Sequence, residues 1–258
     1  TDTFTGVLDT QPTSDVVVTV TSADTGEATV SAATLTFTTA NWNATQQVTV
    51  TGVDDSIDDG NQDTTVTIAV DDDNSDNAFD GLADQTVTAT TTDDDTAGYT
   101  LSGATVTVTE AGSTATFTVV LDTQPTSDVV FTVASVDTGE ATVSPTPLTF
   151  TTANWNSAQT VTVTGVDDSI DDGDQNTKIA IAVDDDNSDN TFDGLATQTV
   201  TATTTDDDTA AFTLSTTTAS VTEAGSTATF TVVLDTQPLS DVVVAVSSAD
   251  TGEATVSA

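Results

Sequence analysis

Acidic side chains recur at four fixed places in this chain, and oxygen is the only ligand atom they offer. Within residues 99–211, Glu110 stands alone and Glu140 closes a short Asp-Thr-Gly-Glu run. Asp167, Asp168, Asp171, Asp172 and Asp174 then crowd one stretch, and Asp206, Asp207 and Asp208 stand side by side. Carboxylates in such number can work as general acids and bases, or can hold a hard cation that takes about six to eight oxygens. The chain has no Cys and no His, so zinc and copper lack the donors they prefer. Catalysis is left with paired carboxylates or a metal-activated water. The same acids return at matching places in every copy of a repeat, which a catalytic centre rarely does, so the expectation is no enzyme and a calcium ligand set.

The overall charge bounds the partners. There are 42 acidic residues against the single cation Lys178, giving a formal net charge of −41. No basic surface exists to neutralise phosphates, so nucleic acid is excluded as a direct partner. No long apolar segment is present for membrane insertion. Two carboxylates 4 Å apart repel by about 4 kcal/mol at an effective dielectric of 20. A cluster of ten therefore calls for cations or for protonation.

These acids are positioned by a repeat. Leu8, Leu121 and Leu234 lie 113 residues apart, as do Trp42 and Trp155. DTGEATVS occurs at 24–31, 137–144 and 250–257, GVDDSIDDG at 52–60 and 165–173, and DDDNSDN at 71–77 and 184–190. Three domains are expected: 1–98, a copy lacking its first strand; 99–211, a complete copy; and 212–258, the N-terminal part of a third. The chain reads as a window cut from a longer polypeptide. Only Thr209, Ala210 and Ala211 separate Asp208 from Phe212, a connection too short for a loose linker.

Within the complete copy the apolar period is two. Phe117, Val119 and Leu121 alternate with Thr116, Thr118 and Val120, and Ile179, Ile181 and Val183 alternate with Lys178, Ala180 and Ala182. Segments 104–109, 115–121, 129–135, 148–152, 160–166, 177–183 and 198–205 read as seven strands of an all-β, antiparallel β-sandwich with one threonine-rich face. If the strands alternate up and down, the ten acids above, from four distant segments, converge at one pole.

The runs VTEAGSTATFTVVLDTQP, EATVSPTPLTF, VTVTGVDDSIDDGDQ and TTDDD resemble the Calx-beta repeat over essentially the whole period. The resemblance implies an immunoglobulin-like sandwich in tandem repeats that binds several Ca²⁺ ions at one pole, as in very large bacterial proteins that are secreted or held at the cell surface. The ligands it implies in the complete copy are Glu110, Glu140, Asp167, Asp168, the Ile170 carbonyl, Asp172, Asp206, Asp207 and Asp208. In the first copy they are Glu27, Asp54, Asp55, the Ile57 carbonyl, Asp59, Asp93, Asp94 and Asp95, and in the third Glu223 and Glu253. The family often has Glu where Asp172 stands, and the shorter side chain reaches less far.

A second acidic loop lies between the last two strands of each copy: Asp71, Asp73 and Asp76 in the first, and Asp184, Asp185, Asp186, Asn187 and Asp189 in the second. Its spacing imitates the first half of an EF-hand, yet Asn190 replaces the glycine and no bidentate Glu follows. It is read either as a second calcium loop or as a solvated turn. Trp42 and Trp155 are expected to plug the open end of a sandwich, with a sugar-stacking role as the alternative. The leading function is a calcium-stiffened segment of an extracellular stalk, adhesin or filament. Its expected partners are neighbouring repeats of the same chain, identical chains in a filament, and surface glycans. A glycan-binding adhesive module and an acidic, salt-adapted coat without specific calcium sites are the alternatives.

Overall fold

The computed structural model describes residues 1–257. The chain divides into two compact units, Thr1–Gly98 with Asp122–Thr126, and Tyr99–Leu121 with Ser127–Ala258. In the first, seven strands, β1 (Asp2–Gly6), β2 (Val16–Ser22), β3 (Ala28–Val30), β4 (Thr34–Phe37), β5 (Gln46–Gly52), β6 (Gln62–Val70) and β7 (Gln85–Thr91), form sheets ordered β1-β5-β3 and β4-β2-β6-β7. Val16, Val18, Val20, Phe37, Val48 and Val66 meet between them as the core.

The second unit holds the complete copy. Its strands are β8 (Tyr99–Leu101), β9 (Thr105–Thr109), β10 (Thr114–Leu121), β11 (Val129–Ser135), β12 (Ala141–Ser144), β13 (Leu148–Phe150), β14 (Gln159–Gly165), β15 (Gln175–Val183) and β16 (Gln198–Thr205). They make two sheets, β12-β14-β10-β8 and β13-β11-β15-β16-β9. The fold is the expected immunoglobulin-like β-sandwich, antiparallel except where β9 and β16 pair in parallel from Thr105↔Thr201 to Thr109↔Thr205. Alternation explains the burial: Phe117 lies opposite Val161, Ile179 opposite Val200 and Val133 opposite Ile181, all buried. Phe131 sits at the centre, edge-on to Tyr99 at 4.8 Å and to Phe150 at 5.8 Å, a geometry that aromatic rings favour.

Nine strands stand where seven segments were expected. The additions, β8 and β12, come from chain that changes sheet. The stretch 99–109 pairs first with β10 as β8, then with β16 as β9, across Ser102–Ala104. Likewise β12 pairs with β14 and β13 pairs with β11, and between them lie Pro145 and Pro147, which lack the N–H a continuous ladder needs. From Phe212 onward, β17 (Phe212–Leu214) pairs with β18 (Val232–Leu234).

One close approach fixes a residue type. A Cβ on Gly165 would strike the backbone carbonyl of Thr109, whereas one on the equivalent Gly52 would meet only the Thr91 side chain, its methyl at 3.4 Å and its hydroxyl at 3.7 Å. Gly165→Ala should therefore cost about 1–3 kcal/mol by overpacking while Gly52→Ala stays near neutral. Chemical denaturation of the two variants checks this, and equal losses would contradict it.

Candidate metal site

Strand alternation delivers the first ligand candidate to the interior. Along β9 the inward side chains are Val106 and Val108, and the same parity continues into Glu110, which is 1% exposed. The Asp207 N–H reaches its carboxylate, but Oε2 has no hydrogen-bond partner although it is buried. Buried polar oxygens are almost always satisfied, and a carboxylate without a counter-charge is costlier still. Oxygens of Glu110, Asp206 and Asp208 lie within 4.8 Å of one another. Burial first, then the negative charge of Asp206, pushes the Glu110 carboxyl up to about 7.

The other acids of that pole come from the turn before β12 and the loop before β15. Glu140 is half-buried, its Oε2 also without a partner. Its carboxyl is raised by burial and then by the charges of Asp172, Asp137 and Asp168. Asp208 is raised by burial and by Asp206, Asp207, Asp167 and Asp168. The structure thus gathers Glu110, Glu140, Asp167, Asp168, Asp172 and Asp206–Asp208 into one mutually repelling field, as the up-and-down order of strands requires.

Local hydrogen bonds shape the loop. Asp168 Oδ1 accepts the Ile170 N–H at 2.7 Å, and the Ile170 carbonyl accepts the Asp172 N–H at 3.0 Å. Gly173, at φ +75°, turns its N–H onto Asp206 Oδ2 at 2.7 Å, a backbone conformation that side chains disfavour. Asp206 Oδ1 takes the Asp208 N–H at 2.8 Å. Asp206 therefore ties the two acidic segments together.

The first copy repeats this arrangement within its own unit. Asp55 accepts the Ile57 N–H at 2.7 Å, Asp93 accepts from Gly60 at 2.7 Å and from Asp95 at 2.8 Å. Here the oxygens within 4.8 Å of one another belong to Glu27, Asp55 and Asp59. A cleft of about 320 Å³ is lined by these together with Asp54, Ile57 and Asp93–Asp95. Burial and then the charges of Asp59, Asp55, Asp24 and Asp93 raise Glu27; burial, Asp94 and Asp93 raise Asp95. Glu223 and Glu253 lie exposed in turns.

The second acidic loop is built differently. Asp76 is buried and fully engaged: Oδ2 accepts the Thr13 N–H and hydroxyl and the Ser14 N–H, and Oδ1 accepts the Ala78 N–H. These donors, Ala78 foremost, hold its carboxyl far below the usual range. Asp189, also buried, takes the Ser127 and Thr191 N–H groups at 2.9 and 3.0 Å. Asp71 and Asp184 accept the side-chain amides of Asn74 and Asn187. Asp73, Asp185, Asp186 and Asn187 are exposed, in single 3₁₀ turns. Each loop is braced by local donors and by donors from the segment before β2 or β11, and composition could not separate such a brace from a ligand set. Trp42 and Trp155 are half-buried, and their carbonyls accept the Leu8 and Leu121 N–H groups at 3.1 and 3.3 Å.

No protein-family profile and no curated protein matches the chain. Similar solved structures include domains 4 and 5 of the S-layer protein SbsC, at 19% identity and TM-score 0.37, covering 73% of this chain and 70% of that one. CBD12 from CALX1.2 is similar at 14% identity and TM-score 0.28, covering 70% and 73%. SSP-19, an MSP-domain protein like family member in Caenorhabditis elegans, reaches 16% identity and TM-score 0.31, covering 42% and 99%. Scores this low define no shared arrangement, and neither ligand nor assembly is carried over from them. Among the described residues no helix is long and apolar enough to cross a membrane.

Proposed function

We propose that the chain is a run of Calx-beta-type structural repeats whose acidic pole binds several calcium ions, forming part of an extracellular stalk, adhesin or filament and performing no catalysis. The observation that carries this reading is the Glu110 Oε2 atom, buried and without a partner, beside Asp206 and Asp208. Protein groups leave that oxygen unsatisfied, and a cation would satisfy it while removing the repulsion among its neighbours. The donor set is oxygen alone and drawn from loops, which suits Ca²⁺ better than the rigid octahedron of Mg²⁺. Near-identity of the copies suits a stalk, which needs many equivalent units, more than a receptor, which needs one distinctive pocket. Neighbouring repeats and identical chains are the partners this implies, in a secreted or surface setting.

Anomalous scattering from crystals grown in calcium should show ions among Glu110, Glu140, Asp168, Asp172 and Asp206–Asp208, and among Glu27, Asp55, Asp59 and Asp93–Asp95. Asp168→Ala should remove the ions of its own copy and leave the first copy's in place. Water alone at both sites would sink the assignment. If concentrated NaCl stabilises the chain as well as dilute calcium does, an acidic coat explains the charge instead.

A further inference from the structure

The residue between Ile170 and Asp172 is itself an aspartate, and it is committed elsewhere. Asp171 Oδ2 accepts the Ala210 N–H at 2.7 Å, in the connector just beyond Asp208. Asp58, its counterpart in the first copy, accepts the Ala97 N–H at 2.7 Å. A second bond leaves the same loop from the residue before the isoleucine. The Ser169 carbonyl accepts the Gln237 N–H at 2.6 Å, and the Ser56 carbonyl accepts the Gln124 N–H at 2.7 Å within the unit that includes Asp122–Thr126. Both bonds occur twice, at equivalent residues, in two separate units. Each connector is also closed at its far end, by Asp122 N–H to the Gly98 carbonyl and Asp235 N–H to the Ala211 carbonyl, both at 2.9 Å.

We infer that Asp58 and Asp171 are positioning residues that fasten the calcium loop to the connector, beside the Ser56 and Ser169 carbonyls that fasten it to the Thr-Gln-Pro turn, and that the two aspartates are not ion ligands. This rests on the calcium reading and adds how occupancy would leave the site. Asp168 and Asp172 flank the fastening residues on both sides, so an ion that fixes those two also fixes the Ser169 carbonyl and the Asp171 carboxylate between them. A bond from a backbone N–H to a carboxylate is of the stronger, charge-assisted kind. It is still an exposed bond on a crowded acidic loop. Without a cation, repulsion among Asp167, Asp168 and Asp172 loosens the loop, and the two acceptors lose their fixed place. With a cation, the connector and the turn are held. The mechanism needs no large movement, only a change in how often the loop occupies its bonded form.

Amide hydrogen exchange on the full chain, with calcium or with a chelator, reads the bonded form directly. Calcium should slow exchange at Ala97, Ala210, Gln124 and Gln237 by about tenfold or more. In Asp171→Ala, calcorimetric calcium affinity should stay within about twofold of the parent, as expected for an exposed residue outside the ligand set. Ala210 should then lose its calcium-dependent protection, while Ala97 in the first copy keeps its own. Asp171→Asn, which retains an acceptor oxygen, should restore part of that protection. The inference is overturned if Asp171→Ala weakens calcium as much as Asp172→Ala does, because Asp171 is then a ligand. It is equally overturned if Ala210 stays protected in Asp171→Ala, or is protected in chelator to begin with. A parent chain that takes up no calcium in the titration brings down the calcium reading itself, an outcome distinct from the others.

Discussion

In chelator, the complete copy should be more stable at pH 5 than at pH 8, and calcium should abolish or reverse that slope. Glu110 has an ordinary carboxyl value of 4.5 when unfolded and about 7 when folded. Between those values the folded state holds a proton that the unfolded state has released. Stability therefore falls as pH rises through that window and levels off above it. Glu140 and Asp208, whose carboxyls are raised in the same direction by burial and like charge, add to the effect. On the proposed calcium reading these groups bind the ion ionised, so binding would expel the proton and tighten as pH rises. An ion that binds only the folded state at a hundred times its Kd contributes about 2.7 kcal/mol. Thermal melts from pH 5 to 8, in chelator and in calcium, give the two slopes. A chelated protein whose melting temperature rises with pH would show that the pole is not governed by an uncompensated buried carboxyl.

Glu110→Gln should separate charge from shape at the same position. Glutamine keeps the volume and an acceptor for the Asp207 N–H, and it removes the buried charge. The variant should be more stable than the parent at pH 8 in chelator and should lose most of the pH slope. In calcium it should be the less stable of the two, its affinity in the complete copy lowered by more than about tenfold with the loss of a charged ligand. Binding by the first copy, whose cluster is Glu27, Asp55 and Asp59, should persist as a reduced stoichiometry. A variant with unchanged calcium stoichiometry and affinity would remove Glu110 from the site.

Most of the sandwich was legible because alternation is a strong signal when it runs long. β10, β14, β15 and β16 span seven to nine residues each, and every buried position in them carries an apolar residue, a glycine or a small threonine. β8 and β12 span three and four residues, too few for a period of two to declare itself, and each is joined to a neighbour that pairs in the opposite sheet. The convergence of acids followed from counting strands, which fixes which ends share a pole. Two features lay beyond that reasoning. The burial of Glu110 was written in the parity of Val106, Val108 and Glu110, but a glutamate at a strand end ordinarily turns to solvent. The loops containing Asp76 and Asp189 have the composition of ligand loops. Only the backbone donors of Thr13, Ser14 and Ser127, brought from some sixty residues away, show that two of their carboxylates serve as internal braces.

The parallel pairing of β9 with β16 bears on how a copy responds to mechanical load. These are the first long strand and the last strand of the repeat, joined across five residue pairs from Thr105↔Thr201 to Thr109↔Thr205. Tension entering at the amino end of β9 and leaving at the carboxyl end of β16 pulls the two strands along their own axes in opposite directions. The evenly spaced bonds of a parallel ladder are then loaded in shear and share the force, instead of opening one after another from an end. The same carboxyl end of β16 runs directly into Asp206, which grips Gly173 and Asp208. Force leaving the copy thus passes through the acidic pole, where a bound cation would rivet the end of β16 to the loop before β15.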